Sequence, residues 1–141
     1  MEINFANQNI LVTGGTKGIG KKLVEEFKSL GGKVWYTGRN NKLRDENYFC
    51  VDFNNCEKTD KFLKKVESID FDVLINNAGT NKIGDLENYD SEDFEMILNL
   101  NLTSCFKTTK AVIPNMKRKR YGKIINITSI SSQISMPQRS A

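Results

Sequence analysis

Ile10-Leu11-Val12-Thr13-Gly14-Gly15-Thr16-Lys17-Gly18-Ile19-Gly20 is the stretch that decides how this chain folds. Three apolar residues suited to a buried strand stop at a glycine-rich turn, and Ile19, Leu23, Phe27 and Leu30 then recur at helical spacing. Strand, turn and helix in that order make an anion site. Gly14, Gly18 and Gly20 carry no Cβ to hold a pyrophosphate away from the backbone, and the first N–H groups of the helix point at the anion. The helix dipole adds about 0.3 to 1 kcal/mol for a negative group there, so hydrogen bonds must supply most of the affinity. The spacing is neither G-x-x-x-x-G-K-[ST] nor G-x-G-x-x-G. What stands here is T-G-x-x-x-G-x-G, from Thr13 to Gly20.

A length of 141 residues suits one domain. Twenty-one basic against 17 acidic residues leave a net charge of +4, a mild excess that suits a polyanionic cofactor. No basic stripe interleaved with aromatics points to nucleic acid. The chain has no histidine, which excludes a Ser-His-Asp triad, a Cys-His nucleophile and most zinc sites, so no metal centre is expected. Cys50, Cys56 and Cys105 are odd in number and follow no secretory pattern, so they read as reduced thiols in a cytoplasmic protein. No apolar run approaches 18 residues, and no membrane partner is expected.

Beyond the turn, residues 33–37, 48–51, 73–75 and 123–128 read as strands, and residues 59–68 as an amphipathic helix. The polar crossover at 39–47 is too short for more than a turn of helix. A long helical region starts at Asp90 or Ser91 and carries a wide stripe (Phe94, Ile97, Leu98, Leu102, Cys105, Phe106, Thr109, Ile113, Met116), predicted to face a large core or a partner helix. Pro114 should bend its last turns. Lys117 to Arg120 reads as a cationic helix C-terminus rather than a nucleic-acid patch. Strands alternating with helices predict an α/β fold with a doubly wound parallel sheet that binds ligands at the carboxyl ends of its strands. The residues that end strands are therefore the candidates.

Four ordered motifs, T-G-x-x-x-G-x-G, N-N-A-G (76–79), L-N-L-N-L-T (98–103) and I-I-N-I-T-S (124–129), resemble those of the short-chain dehydrogenase/reductase family, in the subgroup that includes the 3-oxoacyl-thioester reductases. The resemblance implies a Rossmann-type sheet with about five of the family's seven strands. It makes residues 1–141 an NAD(P)-binding domain that ends before the family's Y-x-x-x-K segment. Gly14, Thr16, Lys17, Gly18, Ile19 and Gly20 would form the pyrophosphate turn. Gly38 stands where an acidic residue would bind the ribose hydroxyls of NAD, and Arg39 follows it. With Lys17 it implies NADP(H). Asp52 would accept a hydrogen bond from the adenine amino group with Phe53 nearby, although an aspartate capping the turn at Asn54-Asn55 is the plain alternative. Asn77, Ala78 and Gly79 would pass close to the cofactor's ribose.

Two positions carry the implied chemistry. Asn101 would break the long helix and hold a water in a proton relay; a surface asparagine is the alternative, and Asn99 is the residue it is most easily confused with. Ser129 would donate to a substrate carbonyl oxygen, with a serine-rich turn (Ser131, Ser132, Ser135) as the alternative. Counted from Ser129, the family's tyrosine falls one position past Ala141. The expectation is thus the amino-terminal portion of an NADPH-dependent oxidoreductase that moves a hydride between the nicotinamide and a small carbonyl or hydroxyl substrate, a 3-oxoacyl thioester or other ketone. The full-length protein is expected to be a homo-oligomer, and these 141 residues alone to be inactive. A non-catalytic NADP(H)-binding module, or an inactive fragment, is the alternative.

Overall fold

The computed structural model describes residues 3–129. Strand β1, Asn9–Val12, lies at the centre of a five-stranded sheet because its side chains are apolar on both faces. Ile10 and Val12 pack on one side with Val24, Val34, Tyr36, Val73 and Ile75. Leu11 turns to the other side and joins a second cluster that includes Trp35, Phe62, Val66, Phe71, Leu74 and Val112. The remaining strands are β2 (Lys33–Gly38), β3 (Tyr48–Cys50), β4 (Val73–Asn76) and β5 (Lys123–Asn126), all parallel in the order β3-β2-β1-β4-β5. Helix α1, Gly18–Ser29, covers the first face, while α2 (Cys56–Glu67) and α4 (Ser104–Lys119) cover the second. A Rossmann-type sheet results, with every loop after a strand on one rim.

Several boundaries differ from the sequence reading. Helix α2 starts three residues early because the Asn55 side chain accepts the Lys58 N–H at 2.9 Å and caps it. Strand β5 stops at Asn126. The 39–47 crossover holds no helix; Asp45 organises it, accepting from the Asn47 N–H, the Tyr36 hydroxyl and Lys28.

The long stripe is divided rather than buried. Helix α3, Ser91–Leu98, is capped by Asp90, and a π-helical turn, Asn99–Thr103, joins it to α4. Phe94, Leu98, Leu102 and Phe106 are exposed, the last two at 64% each. The face that meets the sheet mixes small or polar residues (Ser104, Thr108, Ala111, Asn115) with apolar Val112 and Met116, all buried, and of the stripe Ile97 and Met116 are buried. Small side chains let the helix approach closely, and the hydroxyls of Ser104 and Thr108 donate to the carbonyls of Leu100 (2.6 Å) and Ser104 (2.8 Å), so neither is orphaned. Helix α4 runs through Pro114 to Lys119. Its cationic end is structural: Arg118 pairs with Asp70 at 2.6 Å, and Lys119 with Asp72 at 2.5 Å.

The Tyr36 and Asp45 pair makes stability pH-dependent at both extremes. Burial, reinforced by the 2.9 Å hydrogen bond to Asp45, pushes the Tyr36 hydroxyl up to about 12, and burial raises Tyr48 as well. The Asn47 N–H, with Tyr36 and Lys28, lowers Asp45 against a smaller opposing effect of burial. A raised tyrosine contributes stability that is complete below its ordinary pKa of 10.0 and is lost as pH climbs towards 12. A lowered carboxylate contributes above its ordinary 3.8 and fails as pH falls through the lower folded value. Urea denaturation midpoints should therefore drop between pH 10 and 12, and Tyr36→Phe should remove most of that drop, leaving the part due to Tyr48. An alkaline limb unchanged in Tyr36→Phe would refute this assignment.

Candidate functional site

Thr13, directly after β1, joins the glycine turn to the end of β4. Its Oγ1 accepts from the backbone N–H groups of Asn77 (2.9 Å) and Ala78 (3.0 Å), and the residue is buried. The Asn77 side chain returns the contact, donating from Nδ2 to the carbonyls of Thr13 (3.0 Å) and Gly14 (3.2 Å). On the other side, the Gly14 N–H donates to Thr37 Oγ1 and the Gly15 N–H to the Thr37 carbonyl, both at 2.9 Å. The turn is thereby fixed to the strands on both sides of β1.

Two glycines in it answer different demands. Gly18 has φ +55° with nothing within 4 Å of a would-be Cβ, so backbone conformation selects it and leaves open space above. Gly20 is selected by contact: a Cβ there would lie 2.2 Å from the Gly14 carbonyl oxygen and 2.4 Å from Asn77 Nδ2. Lys17, extended at the N-cap of α1, makes no side-chain cap, and the first turn holds no acidic residue. The N–H groups of that turn have no acceptor within the helix and face the rim.

A cleft of about 450 Å³ opens there. All twelve residues that the sequence nominated for cofactor contact line it: six from the glycine turn (Gly14, Thr16, Lys17, Gly18, Ile19, Gly20), Arg39 after β2, Asp52 and Phe53 after β3, and Asn77, Ala78 and Gly79 after β4. Exposed Ile19 belongs to this wall rather than to the core of α1. Phe53 differs from a simple neighbour of the ligand. Its ring is buried edge-on against Phe62, 5.6 Å between centroids, although the residue lines the cleft. Asp52 does cap a turn, its Oδ1 accepting the Asn54 N–H at 3.1 Å, and still lines the cleft.

Neither catalytic candidate is in the lining of the cleft, and Asn101 bonds Thr80, which is. Asn101 sits in the π-helical turn, where the Ser104 N–H reaches back to the Asn99 carbonyl, so the helix is locally widened where the sequence placed a break. Both ends of its amide are used by Thr80: Oδ1 accepts the Thr80 N–H at 2.9 Å and Nδ2 donates to the Thr80 carbonyl at 2.8 Å. One N–H and one oxygen lone pair of the amide are left over for a water, and the residue is exposed. Ser129 is exposed three residues past β5. The Ile127 N–H donates to the Asn76 carbonyl at 2.9 Å, and Asn76 Nδ2 to Asn126 Oδ1 at 2.9 Å, so the segment leading to Ser129 tracks β4 towards the same rim. Ser131, Ser132 and Ser135 lie outside the described residues.

The sequence reading missed Thr13 and Thr37 as joints, and Met96 and Leu100 as cleft lining. The last two stand one helical turn apart, a spacing visible in the sequence, but outside the stripe that drew attention. Among the described residues no three His, Cys, Asp or Glu side chains are placed to share a metal ion, and no helix is long and apolar enough to cross a membrane.

Residues 8–141 match the family model described as short chain dehydrogenase. The chain belongs to the short-chain dehydrogenase family. The chain is 33% identical to the 3-oxoacyl-[acyl-carrier-protein] reductase FabG of Haemophilus influenzae, over 90% of the chain and 57% of the relative. It superposes on a gluconate 5-dehydrogenase from Burkholderia cenocepacia in complex with NADP and tartrate with a TM-score of 0.84, at 25% identity, over 99% of this chain and 60% of that one. A 4-hydroxyisoleucine dehydrogenase complexed with NADH gives 0.86 at 25% identity, over 95% and 61%. The chain spans about half to three-fifths of the length of the curated relatives it matches.

Proposed function

We propose that this short-chain dehydrogenase is part of an NADPH-dependent oxidoreductase, moving a hydride between the nicotinamide and a small carbonyl or alcohol substrate such as a 3-oxoacyl thioester. One observation carries the reading: the uncapped first turn of α1, two cations, a glycine at the end of β2 and the Asn77 to Gly79 segment all line a single cleft. The residues fit the cofactor. Gly18 leaves open space where a phosphate would sit, and Lys17 and Arg39 supply positive charge where no carboxylate at position 38 would repel a 2′-phosphate. When bound, a nicotinamide dinucleotide supplies or accepts the hydride. The chain's own residues orient it: Asp52 offers a carboxylate acceptor to the adenine, Ala78 and Gly79 admit a ribose, and Ser129 donates to the substrate oxygen as negative charge develops there. The exposed ridge of Phe94, Leu98, Leu102 and Phe106 supports pairing with a second copy.

Arg39 provides the test. A guanidinium hydrogen-bonded to phosphate contributes about 1.5 to 3 kcal/mol, so Arg39→Ala should weaken NADPH binding roughly 10- to 150-fold and leave NADH binding within about twofold. Fluorescence titration of both cofactors measures this. Equal losses for the two would remove the phosphate assignment, and no binding of either would remove the cofactor. In the full-length protein, NADPH oxidation dependent on acetoacetyl thioesters or simple ketones separates an enzyme from a non-catalytic binding module.

A further inference from the structure

Asparagines at 99 and 101 are two residues apart, a spacing that never faces one partner on a helix. They reach different loops of the rim. Asn101 closes on both backbone groups of Thr80, after β4. Asn99 extends the other way, donating from Nδ2 to the Phe53 carbonyl at 2.7 Å and to Asn54 Oδ1 at 2.9 Å, after β3. Leu100, between them, packs on the core and lines the cleft.

The contact at Asn54 continues towards the ligand. The Asn54 N–H holds Asp52 Oδ1 at 3.1 Å, so Asn99 fixes Asn54, and Asn54 fixes the carboxylate that lines the cleft. Thr59 Oγ1 also donates to the Phe53 carbonyl, at 3.3 Å, from within α2. Asn99 is what ties this loop to the opposite wall.

We propose that Asn99 is a positioning residue for the adenosine half of the cofactor site, acting through Asn54 on Asp52, while Asn101 holds the half beyond β4. The proposal rests on the dinucleotide reading of the cleft. It divides the site energetically: loss of Asn99 affects ligands that carry adenine and spares those that do not.

Two fragments test this, 2′,5′-ADP and reduced nicotinamide mononucleotide, titrated separately by NMR so that millimolar affinities are read. Asn99→Ala should weaken 2′,5′-ADP roughly 5- to 15-fold and leave the mononucleotide within about twofold. Asn99→Asp keeps the shape but lacks the donor and should lose at least as much. A variant that weakens both fragments equally, or neither, overturns the proposal, as does an Asn99→Asp protein that binds like the parent. Collapse of the fold in both variants overturns it too, since the residue would then be a general structural support. If the parent protein binds neither fragment, the dinucleotide reading itself fails; if it binds both and the variants show no split, only the role of Asn99 fails.

Discussion

Thr13→Val should destabilise this protein by about 2 to 5 kcal/mol, because it removes one acceptor from two backbone donors at once. The Asn77 and Ala78 N–H groups both end on Thr13 Oγ1, and each, if left unsatisfied in this half-buried joint, costs about 1 to 3 kcal/mol. Valine keeps the volume, so no cavity term confuses the result. Against a typical total of roughly 5 to 15 kcal/mol the loss is large. Thr13→Ser retains the oxygen and should recover most of it, leaving only a lost methyl. Urea denaturation of the three proteins decides the matter: a Thr13→Val loss below about 1 kcal/mol would mean that the strand ends are held together by something else. The same variant should also lose affinity for NADPH, since Asn77 and Ala78 line the cleft.

Gly20→Ala is expected to cost about 3 kcal/mol, and the direction is informative. Position 20 lies inside α1, where helix propensity alone favours alanine by about 1 kcal/mol. Packing opposes this. The added Cβ would fall 2.2 Å from the Gly14 carbonyl oxygen and 2.4 Å from Asn77 Nδ2, inside the hydrogen bond those two atoms share. Overpacking of this kind costs about 1 to 3 kcal/mol and sometimes more, and a contact against backbone cannot be relieved by a rotamer change. NADPH affinity should fall with stability, because the glycine turn must move away from β4. Gly18→Ala serves as the comparison: it meets nothing within 4 Å and carries only the strain of φ +55°, about 1 to 2 kcal/mol. Equal stability of Gly20→Ala and the parent, measured by thermal and urea unfolding, would refute the contact argument.

How far the sequence reached is clearest in particular residues. The strand, turn and helix at 10–20 were legible because each depends on neighbours a few positions away: a continuous apolar run, glycine at the turn, helical spacing after it. Asp90 as a helix cap and Lys117 to Arg120 as a helix end are local in the same sense, whereas the partners of Arg118 and Lys119, Asp70 and Asp72, lie far away in the chain. The long stripe left two readings open, a core or a partner helix, for the opposite reason. Periodicity marks an apolar face without saying which face meets the sheet, and α4 packs through Ser104, Thr108 and Ala111 while Leu102 and Phe106 stay exposed.

By itself, then, the amino-acid sequence determined the fold class, the order of its strands along the chain and the twelve residues around one cleft, since all of these follow from local pattern. Each strand end fell within one or two positions of its expected place. Only the tertiary structure decided how those ends are joined: Thr13 to Asn77, Thr37 to Gly14, Asn101 to Thr80 and Asn99 to Phe53. Each joint links residues more than 20 positions apart through a polar group whose partner no local spacing specifies. A threonine or asparagine at a rim has several possible acceptors, and burial against a particular loop selects among them.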